Sequence, residues 1–474
     1  MEKMKKNKLA IALTATLGLG AFASTAQAIN ISNEGVGEYA YIPYFSVTKG
    51  QSEVIKLINT SNLTVAVKVT FRRGTDSQEV RDFNVIMSPR DVWSGQIVPS
   101  ATGAKFVTSD TTCTVPDKNQ WVNEGKGAYS VEFDTTRFGN NVSLRSENVL
   151  TGFNSQLISK IQEGYVTVAV MGVSSISTDA VNTVPYLAKH VNGVPRSCSS
   201  IDWGFANAFA SVKSQFSQAE NVLSVQSSLI DPARASAIEI PVSNLANAFN
   251  DGQGAGFGIN NISLSSVDSP NASNVSPAAS DVFSDRDAKL YSATFDAPAR
   301  ALSTVFQSES IFGAFDTTGT AQSSWVVNFP TKKWLMDLKP AVQPFSDSIV
   351  QISQALTDEE EAVTVTSNKT EFSPFVAPVV PRLALPFEVN VITFSKLNPL
   401  SSALNTDAAQ GYAKGWQQLG FPTAVAVTGT VNGGTSGGAT ATYTGMPVIG
   451  FEYNEDSGIA ASTALRYGKN ISAK

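Results

Sequence analysis

Histidine is nearly absent: His190 is the only one in 474 residues. Histidine is the usual base of hydrolytic triads and a frequent zinc or copper ligand, so those chemistries would have to run through one residue or without it. His190 lies in KHVNGVPRSC, between a lysine and a Gly-Val-Pro turn, a setting that points to a structural or surface role. Nucleophile-elbow, phosphate-loop, HExxH and EF-hand patterns are all missing. There is no basic block either, so a nucleic-acid partner has no electrostatic footprint. Long apolar runs are missing beyond the first thirty residues. The most apolar later stretch, Phe375–Phe394, is broken by Pro378, Pro381, Arg382, Pro386 and Glu388, so no transmembrane segment is expected there. Strands with a steady lipid-facing alternation, and an aromatic last residue, are lacking too, which argues against an outer-membrane barrel.

What is present first is an address. Lys3, Lys5, Lys6 and Lys8 precede an apolar run from Leu9 to about Phe22, followed by Ala26-Gln27-Ala28. This reads as a secretory signal peptide over residues 1–28, cleaved after Ala28; the run is too short, and too rich in Thr, Gly and Ser, for a membrane anchor. The segment carries +3 of the chain's net −6, so the remaining 446 residues carry −9. Export is expected to end at the cell surface or outside the cell, with the periplasm as the other destination. Only two cysteines occur, Cys113 and Cys198. In an oxidising compartment the default for such a pair is a structural disulfide, and two independent thiols are the alternative.

Charged residues make up only 16% of the chain, and Ser, Thr, Asn, Gly and Val are plentiful. That balance favours strands with polar loops over helical bundles. Val65, Val67, Val69 and Phe71 alternate with Ala66, Lys68, Thr70 and Arg72, the pattern of a half-buried strand. Val54–Ile58 precedes it across the turn cluster Asn59-Thr60-Ser61-Asn62, and Phe83, Val85 and Met87 form another alternating run before Ser88-Pro89. Tyr39–Val47 and Gly164–Val173 read as further strands. The fold class expected is mainly β: immunoglobulin-like or related antiparallel β-sandwich domains with a few short helices. The length calls for more than one domain, divided as an N-terminal sandwich over 29–240 and a β-rich domain over 241–474.

Two short helices are expected. One begins near Ser199 or Ser200 and places Phe205, Phe209, Val212 and Phe216 on one face; the other spans Ser243–Phe249 with Ser243 as N-cap. Asp268–Ser280 reads as a linker or surface loop, and Thr428–Thr440 as the tip of a hairpin between Thr423–Val427 and Thr440–Tyr443. The acidic groups Asp281, Asp285, Asp287 and Asp358–Glu361 read as solvated charge rather than a calcium or catalytic site. Trp93, Trp121, Trp203, Trp325, Trp334 and Trp416 read first as packing residues, and exposed ones as platforms for sugars. No cofactor or metal is expected.

Six phrases occur in sequence: Val67–Trp93 ending in SPRDVW, CTVP (Cys113–Pro116), HVNGVPRSC (His190–Cys198), SSWVVNFPTKK (Ser323–Lys333), EVNVITF (Glu388–Phe394) and MPVIGF (Met446–Phe451). Their order and content resemble a family of uncharacterised, signal-peptide-bearing secreted or surface proteins of Gram-negative bacteria, across nearly the whole chain after the signal. The resemblance implies pairing of Cys113 with Cys198, since both fall in shared phrases, and implies no catalytic residues. It also marks a departure. Such proteins tend to carry a second cysteine pair, whereas here Asp358–Glu361 and Leu385-Pro386-Phe387-Glu388 stand without cysteine, so no second disulfide is available.

These readings converge on a non-enzymatic, exported structural protein, a subunit of a surface layer, matrix or filament that self-associates or binds cell-surface components. One specific form has Ile29 and Ile31 at the start of the exported chain adding as a strand to the next subunit, against the plainer reading of an ordinary first strand or a frayed end. The alternative is a carbohydrate- or surface-binding β-sandwich adhesin with glycan partners. A carboxylate-based hydrolase comes third.

Overall fold

The alternating run at Thr64–Arg73 forms a central strand, flanked by Glu163–Ser174 on one side and Glu79–Met87 on the other. The computed structural model describes residues 28–133, 161–249, 278–284, 289–295, 298–337, 345, 349–359, 382–394, 400, 403–408, 412–421, 426–431, 440–458, 461–465 and 468–470. Within them the chain is mainly antiparallel β, with few short helices. The first sheet runs Asn30–Ile31, Ser243–Ala246, Tyr39–Ser46, Glu163–Ser174, Thr64–Arg73, Glu79–Met87 and Cys113–Val115. The second runs Ser236–Ile240, Leu223–Asp231, Ser52–Asn59, Val92–Ser100, Gly103–Thr108, Ala128–Glu132 and Val122–Gly125.

The two sheets form a β-sandwich closed by aromatic packing. Trp93 stacks on Phe106 (centroids 5.4 Å apart, 14° between planes), and Phe83 and Phe71 lean on the same ring. Gly95 is required here: a Cβ at that position would come within 2.1 Å of the Phe106 ring. Val65, Val67, Val69 and Phe71 point into this core.

The strand Thr64–Arg73 is buried on both faces along its whole length, not half-buried as its alternation suggests. Its polar face is covered by other parts of the chain. Ala66 packs in a second, smaller cluster with Ile86, Met171, Val184, Ile201 and Phe216. Lys68 pairs with Asp82 at 2.8 Å, and the Arg72 guanidinium lies 6.0 Å from the Trp334 ring. A period-two pattern reports polarity, and buried polar residues need only be paired to be tolerated.

The expected aromatic-striped helix is present as two pieces, Cys198–Asn207 and Phe209–Lys213, broken at Ala208. Val212 and Phe216 are buried in the second cluster, with Phe205 and Phe209 packed against it. The helix expected at Ser243–Phe249 is instead a strand, Ser243–Ala246, pairing Ser243 with Tyr41 and Leu245 with Tyr39. The unsatisfied edge of Tyr39–Ser46 outweighs a short helix of weak local preference. That strand also places residues 243–246, beyond the expected boundary at 240, in the first sandwich.

In the C-terminal half, Arg382–Leu385, Val350–Asp358, Lys414–Gly420, Ser310–Asp316 and Gly468–Asn470 build one five-stranded sheet, while Asn405–Asp407, Val389–Thr393, Ala321–Asn328, Ile449–Asp456 and Ala461–Leu465 build another. Phe315 and Phe394 stack between them (4.9 Å, 8°) beside buried Trp325. A four-stranded sheet contains the hairpin Ala426–Val431 and Thr440–Thr444, whose tip at 432–439 lies outside the described residues. So does most of the loop Asp268–Ser280, up to the strand Ala278–Ser284.

One hydrophobic core continues across both halves. Tyr41 meets Phe306 edge-on at 5.5 Å. The Tyr44 hydroxyl lies within hydrogen-bond distance of the Glu163 carboxylate (2.9 Å) and the Leu400 carbonyl (3.1 Å), while Asn328 donates to Pro43 O (2.8 Å). Arg234 pairs with Glu455 at 2.9 Å. Every residue of Tyr39–Ser46 is buried because one face serves the sandwich and the other serves this junction. No described helix is long and apolar enough to cross a membrane.

Candidate functional site

A pocket of about 270 Å³ opens at one end of the sandwich. Arg81, Asp82 and Phe83 of the first sheet form one wall, and Val122 with Ser130–Glu132 of the second form the other. The floor is built by a short turn. Asp117 caps the 3₁₀ turn Lys118–Gln120 by accepting from Asn119 N (3.0 Å), and the Trp121 N–H donates to Lys118 O (2.9 Å). This sets the Trp121 ring against Phe83, with centroids 5.0 Å apart.

The polar groups of the pocket are held in place by the surrounding fold. Arg81 Nε donates to Glu132 O at 2.8 Å. The Glu132 carboxylate accepts from Ser100 and Thr102, each at 2.6 Å. Burial works against the charged form of Asp82, but the Lys68 ammonium beside it prevails and holds its carboxyl below the usual range. Gln120 donates to Asp202 at 2.6 Å and so ties the rim to the helix Cys198–Asn207. The next residue on that helix, Trp203, is 61% exposed.

Beside the pocket, Val122–Gly125 is the last strand of its sheet. Its inner side pairs with Ala128–Glu132, and no described strand pairs with its outer side. All four residues are exposed, Val122 to 61%.

Cys113 and Cys198 are bonded, their Cα atoms 5.0 Å apart. The bridge fastens the strand leading into the pocket floor to the helix bearing Asp202 and Trp203. Ile29, next to the expected cleavage point at Ala28, is 1% exposed and forms a parallel bridge with Ser280. Asn30–Ile31 pairs with Ala246 and Leu245 of its own chain, as an edge strand with Ile31 36% exposed. Residues 1–27 lie outside the described residues.

His190 sits in the small hairpin formed by His190–Val191 and Val194–Pro195. Its Nδ1 is 3.2 Å from Ser88 Oγ and 3.8 Å from Asp91. The composition is that of a hydrolytic triad, but the geometry is not: serine and aspartate approach the same ring nitrogen, where a proton relay needs them on opposite ones. Burial pushes the Asp91 carboxyl up, with His190 opposing.

Four other carboxyls are pushed up by burial, Glu38 and Glu53 to about 8 and Glu388 and Glu452 to about 7. They lie within the fold and line no part of the pocket. Asp281 accepts from Ser292, and Glu359 pairs with Lys414 at 2.9 Å. Asp285, Asp287, Glu360 and Glu361 lie outside the described residues. Among the described residues no group of three or more His, Cys, Asp or Glu is arranged to hold a metal. Of the tryptophans, Trp93, Trp325 and Trp334 are core, Trp121 is half-buried at the pocket, and Trp203 and Trp416 are exposed.

The pocket itself escaped sequence reasoning. Its walls come from residues 81–83, Pro116, 120–122 and 130–132, brought together only by the sandwich; the one local signal was Trp121 following a polar turn. Comparison of the chain with protein-family models, with curated proteins and with solved structures finds no match.

Proposed function

We propose that this protein is an exported, non-enzymatic structural component of a surface layer, matrix or filament that assembles by adding sheet edges head to tail. The observation that supports this reading is the exposed edge Val122–Gly125, with its outer side unpaired among the described residues and Val122 largely exposed. An open edge is a template for another strand. The segment Asn30–Ile31 is the edge of the other sheet. Kept in its own chain, it presents Ile31, beyond the Ile29–Ser280 bridge that fills part of its outer side, to the Val122 edge of the next copy. Two different edges make a heterologous contact, which propagates into filaments unless the rotation closes a ring.

The test follows from that asymmetry. Residues 29–474 should self-associate with rising concentration, read by light scattering and negative-stain microscopy. Ile31→Lys and Val122→Lys should each stay monomeric with a melting temperature within a degree or two of the parent, since both side chains are exposed. An equal mixture of the two variants should stop at dimers, because each retains one competent edge. A parent chain that stays monomeric at all concentrations, or variants that still polymerise, would overturn the reading. The second reading, a carbohydrate- or surface-binding adhesin, is supported by the mixed aromatic and polar lining of the pocket.

A further inference from the structure

We infer that the pocket at the sandwich end holds one ring of a neutral polysaccharide and that Trp203 stacks on a neighbouring ring of the same chain. This rests on the adhesin reading and names its site and ligand class.

Size comes first. At about 270 Å³ the pocket falls just under the roughly 300–1,000 Å³ of drug-sized ligand sites, which suits a single sugar ring rather than a larger cofactor. Its lining is two-sided. Trp121, Phe83 and Val122 supply an apolar wall, while the Arg81 guanidinium, held on Glu132 O, supplies donors beside it. A pyranose has the matching surface, with C–H groups on its faces and hydroxyls at its rim. Charge narrows the class further. The lining sets Arg81 against Asp82 and Glu132, with Lys68 pairing Asp82 from outside it, so the site has no surplus of positive charge to draw in a phosphate or a uronate.

Trp203 is the second, independent observation. A tryptophan 61% exposed on a helix carries a large unburied apolar area. Its helix is held at the pocket rim twice, by the Gln120–Asp202 hydrogen bond and by the Cys113–Cys198 bridge. An exposed aromatic on a helix tied to a ring-sized pocket fits a chain of sugars better than a monosaccharide. An extended peptide on the Val122–Gly125 edge is the competing occupant, but the aromatic wall of Phe83 and Trp121 has no role in strand addition.

The experiment uses residues 29–474 carrying Ile31→Lys, so that self-association does not enter; loss of assembly and loss of sugar binding are then separate results. Neutral glucose tetrasaccharides of β-1,4, α-1,4 and β-1,3 linkage, tetragalacturonate and an eight-residue valine-threonine peptide are titrated by calorimetry. At least one neutral tetrasaccharide should bind, and more than tenfold tighter than glucose. Trp121→Ala should weaken it at least tenfold, Trp121→Phe by less, and the exposed Trp203→Ala three- to tenfold at unchanged melting temperature. Trp416→Ala, in the other half of the chain, should change nothing. Absence of binding by all three neutral tetrasaccharides, preference for tetragalacturonate or the peptide, or binding indifferent to both Trp121→Phe and Trp203→Ala would each overturn the proposal.

Discussion

Raising the pH from about 5 to about 9 should lower the melting temperature of this protein by on the order of 5–10 °C, and Glu53→Gln should remove a large part of that fall. Glu53 is fully buried in the strand Ser52–Asn59. Ser227 donates to one of its oxygens, and the other has no hydrogen-bond partner among the described residues. Burial pushes its carboxyl from the ordinary 4.5 to about 8, against the opposing Ser227 hydrogen bond. Glu38 reaches about 8 by the same route, with the Phe249 N–H opposing burial and Glu220 adding to it. Both therefore hold a proton in the folded protein at pH values where the unfolded chain has released it. The sign follows: their contribution is fully present below about 4.5 and is lost as the pH rises through about 8. Each represents on the order of 3 kcal/mol across that window, and Glu388 and Glu452, pushed to about 7, steepen its lower part. Glu53→Gln keeps the size and the hydrogen-bonding amide without the ionisation, so it should raise the melting temperature at pH 9 and leave it nearly unchanged at pH 5. A melting temperature that climbs between pH 5 and 9 would show that these carboxyls do not govern alkaline stability.

Much of the sandwich was legible in the sequence because period-two alternation is a local property. Val65, Val67, Val69 and Phe71 had to share a face, and they do share the core with Phe83 and Trp93. The burial of their opposite face was not legible. It depends on Ile201, Val212 and Phe216, more than 120 residues away, and on Trp334 from the other half of the chain. The misreading of Ser243–Phe249 has the same origin. Ser243, Leu245 and Phe249 have the composition of a capped short helix, but the edge of Tyr39–Ser46 takes the segment as a strand, and Glu38 then accepts from Phe249 N.

Candidate sites divide along the same line. A disulfide between Cys113 and Cys198 was readable because a chain with two cysteines has one intramolecular pairing to choose. The sequence showed His190 only as a lone histidine before a turn, and its approach to Ser88 and Asp91, about 100 residues earlier, was not legible. The pocket was invisible because its parts are spread over three strands and a turn. Phe83 was identifiable only as a strand residue, yet it faces Trp93 and Phe106 in the core and Trp121 at the pocket. A residue with two such duties carries one alternation signal.

Replacing both cysteines with serine should cost about 4 kcal/mol of stability, and the loss should be concentrated in the helical lobe rather than spread over the molecule. The bridge spans 85 residues, and closing a loop of that length removes about 4–5 kcal/mol of unfolded-chain entropy in the loop-closure description. The location of the loss follows from the packing. The lobe around Val184–Ala188 and Cys198–Lys213 rests on the smaller cluster of Ala66, Ile86, Met171, Val184, Ile201, Val212 and Phe216, apart from the main core. Polar ties from the lobe back to the sandwich include the Gln120–Asp202 and Thr111–Gly193 hydrogen bonds, both exposed and therefore weak. Without the bridge, the lobe should open as its own cooperative unit below the main transition. Hydrogen exchange should speed up at residues 184–216 and 113–121, while Ala321–Asn328 and Ile449–Asp456 in the far half keep the protection of the parent. A variant that melts in a single transition, with exchange raised evenly in both halves, would mean that the smaller cluster is welded to the main core. If exchange rises only in the lobe, the disulfide fixes the rim of the pocket: it holds Asp202 against Gln120 on the helix that also carries the exposed Trp203.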